Sequence, residues 1–137
     1  MATVITVSAT VNAPMEKVWK AWTTPEDIMQ WNNAADTWHT PAATNDFRPE
    51  GKFSYTMAAK DGSFSFDFWG TYDEIIPNEL IKYTIGDGRK VEIIFKANGN
   101  TTDITENFEA EGTNSLEMRQ GGWQAILNNF KKHAEAI

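Results

Sequence analysis

The sequence contains no cysteine, and only two of its 137 residues are histidines. Without cysteine the chain can form neither disulfide bonds nor thiolate metal sites, and it has no thiolate nucleophile. Positive charge is also scarce, since 12 Lys and Arg residues are outnumbered by 19 Asp and Glu residues, for a formal net charge of -7. Nucleic acids and anionic membrane surfaces are bound by concentrated basic patches, so the sequence argues against both as partners.

Long apolar runs are missing as well. No stretch is long enough to cross a bilayer, and the first residues lack the basic and apolar parts of a secretory signal. We therefore expect no membrane insertion and a cytoplasmic location. The sequence also shows no phosphate-binding loop, dinucleotide fingerprint or nucleophile elbow. It predicts a single domain over residues 1–137, with no cofactor, no metal site and no assignable catalytic residue.

Aromatic side chains are abundant instead: the chain has six Trp, eight Phe and three Tyr. That is more ring surface than a minimal core needs. Two explanations remain open at this point. The rings either pack densely in a core or line an internal cavity.

The segment 115–137 predicts one long helix, because its apolar residues recur at helical spacing. At about 1.5 Å per residue such a helix is roughly 30 Å long, the width of a small domain. His133, near its end, is predicted to interact with the last helical carbonyls. The apolar stripe comprises Leu116, Trp123, Ile126, Leu127, Phe130, Ala134 and Ile137.

The chain before this helix is predicted to be mostly strands. Alternation over residues 3–11 predicts a first strand. Pro14 and Thr24-Pro25 then carry helix-start signals for two short helices. Residues 32–44 are interpreted as a loop or irregular edge. Strands joined by turn sequences follow, with a bulge or bend expected at Gly70, and their ranges are 52–59, 64–76, 80–85, 90–97 and 101–110.

This order of elements resembles the helix-grip fold of the START-like (SRPBCC) superfamily. The motifs are similar to those of the branch named after the activator of the heat-shock-protein-90 ATPase. They cover essentially the whole chain: Pro14–Trp22, Thr24-Pro25-Glu26, Trp31, Arg48–Phe53, Gly70–Ile75 with Pro77, and Gly121-Gly122-Trp123 with Leu127.

The resemblance implies an α+β fold in which a curved antiparallel sheet of about six to seven strands wraps around the C-terminal helix. Two short helices follow the first strand. It also implies that a small hydrophobic or amphipathic ligand is held between sheet and helix. Two alternatives stay open, a stress-related interaction or co-chaperone module and a cyclase- or hydrolase-like enzyme using the same cavity. We expect a monomer or weak dimer, with a chaperone as an alternative partner.

The ligand hypothesis predicts that inward-facing side chains of the strands meet the terminal helix across a partly unfilled space. The alternative is that these side chains simply fill the space. The candidate ligand-binding residues are Trp38, Phe53, Tyr55, Phe66, Phe68, Tyr83, Ile93, Phe95, Glu106, Trp123, Leu127 and Phe130.

Separate expectations apply to four polar or small residues, Glu106, His39, Gly121 and Gly122. Glu106 shares its strand face with apolar neighbours, and because burying an unpaired charge is costly, we expect a β-bulge to turn it outward. If it points inward, it is the first candidate for a polar ligand head or a general base. His39 is expected at a pocket mouth. The helical pair Gly121-Gly122 predicts either a close approach to the sheet or a hinge.

Overall fold

The computed structural model describes residues 4–33, 36–86, 88–109 and 116–136, without the side chains of 116–120. Its elements, in chain order, are β1 (Val4–Val11), α1 (Met15–Thr23), α2 (Pro25–Trp31), β2 (Trp38–Asn45), β3 (Lys52–Ala59), β4 (Ser65–Ile76), β5 (Leu80–Ile85), β6 (Lys90–Asn98), β7 (Thr101–Glu109) and α3 (Leu116–Ala136).

The seven strands form one antiparallel sheet in the order β1-β7-β6-β5-β4-β3-β2. From β2 to β7 each strand pairs with the next in sequence, and β1 is then added beside β7. This curled sheet with three helices confirms the predicted α+β helix-grip fold.

Apolar alternation explains why one face of the sheet packs inward. In β7 every second residue from Thr102 to Phe108 is buried, while the residues between them are only partly buried. The strand register aligns these buried positions across the sheet, because Ile81 pairs with Ile93 and Ile93 pairs in turn with Glu106. The inner face therefore presents a continuous row of side chains toward the helices.

The two short helices cover one end of this face. α1 begins after the extended Pro14 and buries Val18 and Ala21. α2 begins with Pro25 after Thr24, whose side chain makes no capping hydrogen bond. The indole Nε1 of Trp31 donates to the carbonyl oxygen of Ala21 at 3.0 Å, which joins the two helices within the core.

Of the two interpretations of residues 32–44, the irregular edge was correct from Trp38 onward, where β2 pairs with β3 at the edge of the sheet, and the loop was wrong for that part. The register shifts between His39 and Ala42, around Pro41. Proline cannot donate a ladder hydrogen bond, so it is tolerated at irregular positions of an edge strand such as this one. The alternation that marks an ordinary strand is therefore missing from the sequence.

The bulge in β4 was also predicted at the wrong residue, since the register shifts between Tyr72 and Glu74 and not at Gly70. Gly70 is needed for a different reason. A Cβ atom there would lie 2.7 Å from the carbonyl oxygen of Thr84 and 2.9 Å from the ring of Phe53. The glycine lets the Phe53 ring lie directly on the strand.

The helix α3 confirms the prediction for residues 115–137 over Leu116–Ala136, and residues 115 and 137 lie outside the described part of the chain. The prediction for His133 was wrong. Its Nε2 lies 2.8 Å from Oδ1 of Asp27, so His133 joins α3 to the start of α2 and does not serve the helix-end carbonyls.

Candidate ligand-binding pocket

A pocket of about 700 Å³ lies between the concave face of the sheet and the helices. Small-molecule sites typically measure about 300 to 1,000 Å³, so this volume suits a ligand of several rings. Ten of the 17 lining residues are aromatic. The full set is Trp22, Trp31, Asn32, Phe53, Tyr55, Met57, Phe64, Phe66, Phe68, Tyr72, Ile81, Tyr83, Arg89, Glu106, Gly122, Trp123 and Ile126.

Trp123 of α3 closes one side of the pocket. Its ring stacks on that of Phe108 in β7, with centroids 4.0 Å apart and an interplanar angle of 13°. On the other side it meets the edge of Phe68 in β4 at 6.3 Å. Trp123 therefore bridges two strands that are not neighbours in the sheet, and the pocket lies beneath this bridge.

Gly122 contributes to the pocket by having no side chain. A Cβ atom at either Gly121 or Gly122 would meet nothing within 4 Å. Of the two explanations predicted for these glycines, the close approach to the sheet was therefore wrong, since they leave space beside the helix, and the hinge stays a prediction.

Glu106 points into the pocket. Its neighbours across the ladder are Val7 and Ile93, and the pairing of β7 with both strands is continuous. The expected bulge is absent from this stretch, and the residue is only 5% exposed. Burial raises the pKa of its carboxyl to about 8, from an ordinary value of 4.5. Desolvation disfavours the charged form, so the carboxyl is mostly protonated at neutral pH.

The Tyr83 hydroxyl is the second isolated polar group of the wall. Burial, followed by the nearby charges of Glu106 and Tyr72, raises its pKa well above the ordinary value. Within the described part of the chain neither Tyr83 nor the Glu106 carboxyl has a hydrogen-bond partner. Both are hydrogen-bonding groups that face the cavity.

Of the other two pocket tyrosines, Tyr72 is hydrogen-bonded. It donates from its hydroxyl to Oδ1 of Asn45 at 2.6 Å, and Tyr55 lies close enough to Tyr72 that burial and this neighbour both raise the pKa of Tyr55. Asn45 in turn donates from Nδ2 to the carbonyl oxygen of Thr23 at 2.8 Å. Burial raises the pKa of both tyrosines, so this chain of hydrogen bonds is uncharged.

Residues 12–135 match the profile of the family described as activator of Hsp90 ATPase homolog 1-like protein. The chain belongs to this AHSA1-like family. The match spans nearly the whole chain and confirms the resemblance drawn from the motifs. No curated protein matches the sequence.

Solved structures support the assignment. The solution structure of an AHSA1-like protein from Aeromonas hydrophila is 38% identical, with a TM-score of 0.92 over 98% of this chain and 93% of that one. A protein from Cytophaga hutchinsonii is 57% identical, with a TM-score of 0.84 over 96% of this chain and 92% of that one. A crystal structure from Nitrosomonas europaea, at 18% identity over 97% and 94%, has a TM-score of 0.83 and shows the fold alone.

Seven of the twelve candidate residues lie on the wall of the AHSA1-like pocket, namely Phe53, Tyr55, Phe66, Phe68, Tyr83, Glu106 and Trp123. Four others belong to the packed core and not to the wall: Ile93, Phe95, Leu127 and Phe130. Their strand face or helix stripe was correct. Neighbouring side chains cover them, which periodicity alone does not reveal.

An exposed part of the pocket wall lies at the β3–β4 hairpin, where Phe64 and Phe66 are 59% and 42% exposed. Trp38 is outside the wall but contacts both rings edge-on, with centroids 6.1 Å away in each case. His39 is exposed and is not a wall residue.

Several wall residues were missed by the sequence-based prediction. Phe64 and Tyr72 share the strand parity of Phe66 and Phe68, so that signal was present and was not used. Trp22, Trp31 and Asn32 reach the pocket from the short helices, and no periodicity places them there. Their position follows only from how α1 and α2 fold onto the sheet.

Two kinds of feature are absent from the described part of the chain. No helix there is both long enough and apolar enough to span a membrane. Nor do three His, Asp or Glu side chains of that part come together as metal ligands.

Proposed function

We propose that this AHSA1-like protein binds a small hydrophobic or amphipathic ligand in the pocket between the sheet and α3. The observation that carries the proposal is the volume of about 700 Å³ behind a mostly aromatic wall. Apolar cavities as small as about 150 Å³ can accept apolar guests, because water gains few hydrogen bonds there. A ligand that replaces water in this pocket gains dispersion contacts with rings that are already held in place.

Two glycine substitutions test the proposal directly. Gly122→Leu sends a side chain from the pocket wall into the cavity, while Gly121→Leu makes the same change one residue away at an exposed, non-lining position. We expect Gly122→Leu to weaken binding of a hydrophobic fluorescent probe by about ten-fold or more, and Gly121→Leu to leave it near the wild-type value.

A native mass spectrum of freshly purified protein completes the test. A retained mass of a few hundred daltons in the wild type and in Gly121→Leu, but not in Gly122→Leu, would support ligand binding in the pocket. If the probe binds none of the three proteins and no added mass is seen, the proposal is wrong.

A second candidate function, a protein-interaction module, is favoured by the exposed aromatic residues. Trp69 is 47% exposed, and it lies on the face of β4 opposite the pocket-lining Phe66 and Phe68. Exposed rings of this kind are common where proteins associate. The test is the ATPase rate of purified Hsp90 with and without this protein. Stimulation that Trp69→Ser abolishes and Gly122→Leu leaves intact would favour this function over ligand binding.

A further inference from the structure

Glu106 and Tyr83 are two polar groups on the pocket wall that the protein itself leaves without a hydrogen bond among its described residues. They are 5% and 8% exposed. Buried polar groups in folded proteins are nearly always paired, and an unpaired one is destabilising. Tyr72, by contrast, donates to Asn45, so the same pocket satisfies that hydroxyl from within the protein. Glu106 and Tyr83 are therefore free to form hydrogen bonds with a molecule in the pocket.

The described side chains that surround Glu106 do not include a cationic partner for its carboxyl. Val7 from β1 and Ile93 from β6 flank it in the ladder, and the described wall residues of α3 are apolar. The titratable groups on the wall are Tyr55 from β3, Tyr72 from β4, Tyr83 from β5 and Arg89 before β6. Arg89 donates from Nη1 to the carbonyl oxygen of Glu109 at 3.5 Å. Burial alone accounts for the raised pKa of Glu106, so the charge of Arg89 does not offset it.

The aromatic wall also favours a positively charged ligand. Faces of Trp, Tyr and Phe rings attract cations, and the attraction strengthens when the cation is desolvated. Ten of the wall residues carry such rings, and the whole chain has a formal charge of -7. A carboxyl without a cationic partner, enclosed by aromatic rings, is complementary to a positively charged group.

We infer that the ligand is an amine: an apolar, ring-bearing molecule whose protonated nitrogen lies against Glu106 and Tyr83. This inference rests on the proposed function and specifies its ligand. The nitrogen donates hydrogen bonds to the carboxylate and to the phenolic oxygen, while the apolar part fills the space beneath Trp123.

The inference has a proton-linkage consequence. A bound cation favours the ionised carboxylate, so it lowers the pKa of Glu106 from about 8. The empty site is mostly protonated at pH 7, and amine binding there should release close to one proton per ligand. At pH 9 the carboxylate is already ionised and almost none is released. A neutral ligand should release no proton at pH 7.

Calorimetry with matched probes measures both effects. The probes are phenyl-, naphthyl- and biphenylethylamine, each compared with the ethanol derivative of the same ring, in buffers of different ionisation enthalpy. We expect the best amine to bind at least about ten-fold more tightly than its alcohol at pH 7, and to release close to one proton.

Two variants separate the role of this carboxyl from that of overall charge. Glu106→Gln should abolish proton release and the preference for the amine over the alcohol. Asp103→Asn removes a carboxylate from the same strand on the outer face, where Asp103 accepts a hydrogen bond from Thr10 at 2.8 Å. It should retain both properties.

Failure of the inference differs from failure of the proposed function. If the alcohols bind as tightly as the amines and no proton is released, the amine inference is overturned while ligand binding stands. If no probe binds and Gly122→Leu behaves like wild type toward the fluorescent probe, both are overturned.

Discussion

The interior of this protein has two halves that are built from the same kind of residue and packed differently. The packed half is centred on the buried rings of Phe95 and Phe130. Trp22 contacts both, at 5.5 and 4.6 Å, and Trp31 contacts Phe130 at 4.9 Å, so these two tryptophans, which also line the pocket, form the boundary between the halves. In the open half, rings such as Phe68 and Tyr83 face a cavity of about 700 Å³. Aromatic content alone therefore does not tell whether an interior is filled.

What distinguishes the halves is the element that covers them. The packed half lies under α1 and α2 as well as α3, and large side chains from all three meet there. The open half lies under α3 where the helix carries Gly122, so no side chain enters the pocket from that position. The cavity follows from a gap in coverage and not from a lack of large residues on the sheet.

The largest predicted contrast compares one ring from each half. Phe130→Ala removes a fully buried ring and should lower the free energy of unfolding by about 3 to 5 kcal/mol. Phe68→Ala enlarges an existing pocket at a half-buried position and should cost less than about 2 kcal/mol. Urea denaturation measures both, and equal losses would contradict the division into two halves.

The second prediction concerns the ionisation of Glu106, which lies in the open half. The folded pKa of Glu106, about 8, exceeds its ordinary value of 4.5, so the folded state binds more protons between these values. Stability should therefore fall as pH rises, by about 3 to 4 kcal/mol between pH 5 and pH 9. Denaturation midpoints across this range measure it.

Glu106→Gln supplies the comparison for that measurement. It should lose most of this pH dependence and be more stable than wild type above pH 7, because no ionisation is forced on a buried group. Asp103→Asn should retain the wild-type dependence of stability on pH. If stability still falls with pH in Glu106→Gln, other titratable groups cause the dependence.

The third prediction compares two tyrosines of the wall. Tyr72→Phe removes a hydroxyl that donates to Asn45, and should cost about 1 to 2 kcal/mol. Tyr83→Phe removes a buried hydroxyl that has no partner in the described structure, and should be neutral or stabilising. Thermal denaturation of the two ligand-free variants tests this prediction. If Tyr83→Phe loses as much stability as Tyr72→Phe, the hydroxyl of Tyr83 has a hydrogen-bond partner within the protein.

The smallest predicted effect concerns the gap itself. Gly121→Ala and Gly122→Ala meet no neighbouring atom and improve helix propensity, so each should stabilise the protein by about 0.5 to 1 kcal/mol. Chemical denaturation measures the change. If Gly122→Ala alone lowers stability, the helix needs the backbone freedom of glycine at that position.

The sequence was sufficient for the fold because alternation in β7 and the stripe of α3 each point to one buried face. It was insufficient at Trp38–Asn45, where Pro41 interrupts the pattern of an edge strand, and at Glu106. The cost of burying a charge suggested a bulge, but the carboxyl stays inward and becomes mostly protonated. Whether Leu127 or Trp123 touches the cavity depends on three-dimensional coverage, which periodicity does not encode.

The pairing of β1 with β7 has a consequence for synthesis. Thr6 and Asn107, which are hydrogen-bonded across these strands, lie 101 residues apart in the chain. When β1 leaves the ribosome, the strand beside which it will lie has yet to be translated, and its apolar residues Ile5, Val7 and Val11 lack their final neighbours. Such long-range contacts slow folding and prolong exposure of unpaired strand edges. Until β7 is synthesised, the edge of β1 therefore stays unpaired and open to pairing with other strands.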